Sequence, residues 1–127
     1  MKPAMRLYTT IIMTLVVCVQ FGYTETEVDS TTDNYLTRGF ALYIQGEYSE
    51  AIESLLKATI FNPDDASAHH FLGLVYGEEL GENQKAIESF KQAIRINPDD
   101  ADAHYNLGIV YGILGKYQKA IESYKQA

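Results

Sequence analysis

One cysteine, three prolines and ten basic residues in 127 positions set the first limits on this chain. Cys18 falls inside an apolar run near the N-terminus, so the residues beyond it can form no disulfide and hold no thiolate site. Positive charge is scarce as well. Lys and Arg total 10 against 17 Asp and Glu, a formal net charge of -7. Two of the ten, Lys2 and Arg6, sit at the extreme N-terminus, and without them the balance is 8 - 17 = -9. An acidic body repels phosphate backbones, which argues against nucleic acid as a partner. There is no phosphate loop, nucleophile elbow or dinucleotide fingerprint, and the Asp-x-Asp-x-Asp-Gly loop that wraps calcium is missing. The chain is therefore read as non-enzymatic, with no cofactor and no metal. Hydrophobic residues at 46% and charged residues at 21% fit a folded domain rather than a disordered one.

No apolar run reaches the length of a membrane span. The longest extends from Leu7 to Phe21, about 22 Å as a helix against a hydrocarbon core of about 30 Å. Lys2 and Arg6 before it, and small and polar residues after it, give the layout of a secretory signal peptide over residues 1–24, with cleavage after Thr24. An uncleaved anchor over residues 7–21 is the alternative. The expected location is accordingly exported (periplasmic or secreted) or membrane-tethered. Leu15-Val16-Val17-Cys18 resembles a bacterial lipobox, but Val17 stands where Gly, Ala or Ser is expected, and Cys18 is read as one more apolar residue. Residues 25–31 read as an acidic linker.

What is present in abundance is repetition. Asn62-Pro63-Asp64-Asp65 recurs as Asn97-Pro98-Asp99-Asp100, and His69, Leu72 and Gly73 recur as His104, Leu107 and Gly108. The period of 98 - 63 = 35 residues is that of a helical solenoid. The chain divides into units at 32–65, 66–100 and 101–127, each a helical pattern, a Gly-containing turn and a second helical pattern. Asp65 and Asp100 are placed to cap the following helices, with Asp33 or Asn34 doing so for the first. Pro63 and Pro98 stop the preceding ones. Gly46, Gly81 and Gly115 sit where each first helix must turn. The second helices carry Ala-Ile-Glu-Ser at Ala51, Ala86 and Ala120, followed on the same face by Leu55, Phe90 and Tyr124. Gly39, Gly73 and Gly108 leave room for the partner helix. One extra residue in Glu78-Glu79-Leu80-Gly81-Glu82 is expected to lengthen the second turn. The fold class is all-α, a solenoid of stacked antiparallel helix pairs.

Over 32–127 this pattern resembles the tetratricopeptide repeat, whose signature appears as His104, Leu107, Gly108, Tyr111, Ala120, Tyr124 and Ala127 in the third unit and as His69, Leu72, Gly73, Tyr76, Ala86, Phe90, Ala93 and Pro98 in the second. The first unit has Arg38 where Leu is expected. The resemblance implies a concave groove lined by the first helix of each pair. Its residues would be Leu36, Phe40, His70, Phe71, Leu74, Tyr105, Asn106 and Ile109, flanked by Asp33, Thr37, Tyr43, Gly77, Asp102 and Gly112. Such a groove suits a protein or peptide segment that is apolar or helical. The carboxylate clamp of one subclass is absent, since Leu36, Phe40, Phe71 and Asp102 replace its cationic and amide residues. The alternative is the repeat arm of a larger enzyme, such as a transferase of O-linked N-acetylglucosamine, with catalysis elsewhere. His69 and His104 would lie one helix spacing of about 8–10 Å apart, too far to share an ion, and are read as packing residues. The third unit stops in mid-helix without a polar cap. It is therefore expected to belong to a longer array, and to self-associate or fray when isolated.

Overall fold

The computed structural model describes residues 34–127. The signal peptide or anchor at 1–24, the linker at 25–31 and Asp33, as cap or groove residue, lie outside the described residues. Six α-helices and no strand occur among the described residues: α1 over 34–45, α2 Tyr48–Phe61, α3 Ala66–Leu74, α4 Asn83–Ile96, α5 Ala101–Ile113 and α6 Tyr117–Gln126.

Local chemistry sets the helix boundaries. The Asp65 carboxylate accepts from the Ser67 and Ala68 amides at 3.0 and 3.3 Å, and Asp100 accepts from Ala103 at 3.0 Å. These are free donors of the first turns of α3 and α5, and carboxylates also suit the positive end of a helix. Asn62 and Asn97 close α2 and α4 in extended conformation, ψ 91° in both, as the residue before a proline must. Gly46, Gly81 and Gly115 have φ of 81°, 64° and 69°. In the first and third units the amides after these glycines close back on Leu42 and Tyr111. That closure occupies carbonyls that the helix ends would otherwise leave unpaired.

The second unit departs from the expected longer turn. Its extra residue lies inside the helix, where α3 passes into a π-helical turn over Val75–Glu79, with the Leu80 amide donating to Val75 at 3.1 Å. Glu82 donates to Tyr76 at 2.7 Å, as Lys116 does to Tyr111 at 2.8 Å, across one residue more. The glycine turn is kept and the helix takes up the insertion, which is the usual form of a π-bulge.

α3 packs on α4 and α5 on α6, while α2 meets α3 and α4 meets α5. A Cβ built on Gly39, Gly73 or Gly108 would come within 2.6 Å of Leu55, Phe90 or Tyr124 respectively. The glycines are thus contact points within each pair. The core forms between pairs. Leu55 of α2 is buried with Leu72 and Val75, and Ile87 and Phe90 of α4 are buried with Ala103, Leu107 and Val110 of α5. No single pair buries its apolar face unaided.

Gly73→Ala should lower the unfolding free energy by about 1–3 kcal/mol, because the Phe90 ring must shift in a filled core. Gly112 has nothing within 4 Å of a built Cβ, so Gly112→Ala should be neutral or stabilise by up to about 1 kcal/mol. Urea unfolding of both variants checks this; equal losses would remove close approach as the reason for Gly73.

Candidate functional site

The polar residues of the repeat signature are occupied structurally. The Nε2 atoms of His69 and His104 lie 3.0 and 2.9 Å from the carbonyl oxygens of Pro63 and Pro98. A carbonyl can only accept, so each ring donates from Nε2 and ties its helix to the preceding turn. Asn62 and Asn97 accept through Oδ1 from the amides of Asp64 and Asp99, both at 3.3 Å. Among the described residues no group of three His, Cys, Asp or Glu comes together to hold a metal.

The groove residues fall into separate groups. Phe40 of α1 and Phe71 of α3 bring their rings to 5.0 Å, joining the first two units, and Phe40 stays 40% exposed. His70 is wedged edge-on between Phe71 and Phe90, at 6.1 and 5.7 Å, with Nδ1 3.5 Å from the Asp100 carboxylate. It thereby links α3 to the cap of α5. Leu36 and Leu74 are half-buried against the two cores. Asn106 and Ile109 of α5 share an apolar crevice of about 40 Å³ with Gly73, Gly77, Phe90 and Glu78. Tyr105 lies instead against Tyr124, at 5.7 Å, and is 54% exposed.

Two exposed residues extend this apolar stripe and escaped sequence reasoning. Ile44 and Ile113 follow Phe40 and Ile109 by four positions, hence on the same helix faces, and both are exposed. The spacing alone could have found them. Glu78 was not predictable in the same way, because the π-helical turn determines where it points. Its Oε2 lies 3.5 Å from the Tyr43 hydroxyl, whose ring also meets Tyr48 at 6.4 Å.

Partial burial, then the charges of Glu78 and Glu79, push the Tyr43 phenol above its ordinary value of 10.0. The folded chain therefore holds this proton more tightly than the unfolded chain. The resulting contribution to stability is complete below the ordinary value and is lost as pH rises through the folded one.

The sequence profile described as TPR repeat matches residues 39–78 and 79–112, and a second, tetratricopeptide repeat, matches 101–127. The chain belongs to the tetratricopeptide repeat family. Among solved structures, this tetratricopeptide chain is similar to MamA, with 32% identity, a TM-score of 0.74, and coverage of 76% of this chain and 56% of that one. It spans about half the length of the MamA chains it matches. The Sgt2 TPR domain from Aspergillus fumigatus has 25% identity and a TM-score of 0.70, covering 75% of this chain and 62% of its own. The second TPR of Spaghetti (RPAP3), bound to the HSP90 peptide SRMEEVD, shares the fold at 20% identity with a TM-score of 0.72, covering 76% of this chain and 88% of its own. No curated protein sequence matches the chain.

Glu78→Gln should move the Tyr43 titration down toward 10.0, read by NMR of ring-labelled tyrosine. A titration that does not move would assign the shift to burial and Glu79 rather than to Glu78.

Proposed function

We propose that this chain is a non-catalytic interaction scaffold that holds an apolar, helical protein segment along α1, α3 and α5. The observation that carries the reading is the side-chain inventory of those helices. Phe40, Ile44, Tyr105 and Ile113 are large, apolar and exposed, while Arg38 is the sole Lys or Arg on the three helices. An amphipathic helix places anchors at i, i+3, i+4 and i+7, which suits a stripe running from Phe40 and Ile44 to Phe71. An acidic tail would find one cation and the carboxylates of Asp102 and Glu78. The relatives named above include a TPR bound to the acidic peptide SRMEEVD, and that mode is not proposed for this groove. Export, or tethering by residues 7–21, is proposed from the leader sequence alone.

Aromatic residues are common binding hot spots because they desolvate a large area at small entropic cost. Helical peptides selected by display against the chain should carry an apolar face, and Phe40→Asp should weaken their binding at least about tenfold, some 1.4 kcal/mol. Phe40 is partly exposed, so circular dichroism of the variant should match the parent. A labelled SRMEEVD peptide should show no binding. Tight binding of that peptide, or selected peptides indifferent to Phe40→Asp, would overturn the proposal.

A further inference from the structure

One row of the groove is interrupted by a charge. Ile44, Glu78 and Ile113 each lie five residues after the contact glycine of their unit, Gly39, Gly73 or Gly108 (44 - 39, 78 - 73 and 113 - 108). From α1 to α5 the row therefore reads isoleucine, glutamate, isoleucine. Both isoleucines are exposed. The glutamate is exposed too, and it sits inside the π-helical turn.

Glu78 has a neutral partner and no counter-charge among the described residues. Its Oε2 lies 3.5 Å from the Tyr43 hydroxyl, and on its other side it borders the crevice of Asn106, Ile109 and Ile113. An ionised carboxylate offers about four acceptor positions, and Tyr43 takes one. Each ion pair found among the described residues draws its acid from elsewhere, from Glu53, Asp100, Glu82 or Asp64. The neighbouring Glu79 lies by Tyr48, whose phenol it holds above the ordinary value, and it is not part of the crevice wall. Arg38 is the sole Lys or Arg of α1, α3 and α5, against Asp102 and the two glutamates of the π-helical turn.

An apolar guest crossing this row strips water from Glu78, which is unfavourable unless a donor takes its place. Lys and Arg meet both demands of the row, because their methylene stems lie along apolar surface while the charged head reaches beyond it. An acidic or a purely apolar helix meets only one demand or neither. We infer, on the groove reading above, that the segment held along α1, α3 and α5 is a basic amphipathic helix. One Lys or Arg of that helix sits on Glu78, between apolar contacts at Phe40 and at the crevice beside Ile109.

Selection against the parent chain from a library of helical peptides, with apolar residues fixed at i, i+4 and i+7, should return Lys or Arg at one shared position. Glu78→Gln should weaken these peptides about fivefold and Glu78→Lys at least about tenfold, as expected for a charge pair that binding removes from water. Glu placed at the shared peptide position should restore binding to the Glu78→Lys variant. Glu79→Gln should change affinity less than about twofold, which separates a seated base from general attraction to an acidic chain. Circular dichroism of the three variants should match the parent, since both glutamates are exposed. Selected peptides without a shared basic position, or equal losses from Glu78→Gln and Glu79→Gln, would overturn the inference. Sensitivity to Phe40→Asp with indifference to Glu78→Lys would do the same while leaving the groove reading in place. Indifference to both substitutions would remove the groove reading as well.

Discussion

Each helix pair depends on one close approach, of a glycine on the first helix to a large side chain on the second. The approach distance is the same, 2.6 Å to a built Cβ, although the side chain is Leu55, Phe90 or Tyr124. Backbone geometry, and not one side-chain shape, is therefore the constraint that repeats. A glycine within a helix costs about 1 kcal/mol relative to alanine. Burying a large apolar side chain returns about 1.5–3 kcal/mol, so the exchange favours folding where burial is complete. It is complete at Leu55 and Phe90 and only half complete at Tyr124.

The repeat architecture was legible because its signals are local. A carboxylate before a helix, a proline after one and a glycine at positive φ act through their own backbone neighbours, and Asp65, Asp100, Pro63, Pro98, Gly46, Gly81 and Gly115 all take those roles. The groove was less legible because exposure is a tertiary property. Leu36 and Phe40 are four residues apart on one helix face, yet Leu36 packs toward Leu55 and Phe40 stays open. His70 shows the same limit. Its repeat position suggested a groove residue, while two rings and Asp100 hold it between units.

The π-helical turn adds a different kind of information. Counting residues reveals that the second unit has one too many, but not where the chain puts it. A longer loop after Gly81 would have kept every α-helical hydrogen bond of the first helix. It would also have broken the closure from Glu82 to Tyr76, the equivalent of Lys116 to Tyr111. The structure keeps the closure and accepts the poorer helix geometry. The inter-helix turn is thus the more constrained of the two, because it fixes where α4 begins against Gly73.

That choice has an electrostatic result at the groove. The wider turn carries Glu78 to Tyr43 on one side, and on the other to the crevice lined by Asn106 and Ile109. A carboxylate then stands between the aromatic cluster of the first two units and the apolar stripe of the third. An apolar segment lying along the proposed groove would have to pass it, and desolvating that carboxylate with only the Tyr43 hydroxyl as partner is costly. A guest with a basic residue or a free donor at this point meets no such cost. In the proposed binding mode aromatic area would supply the attraction, while Glu78 would discriminate among apolar guests by charge.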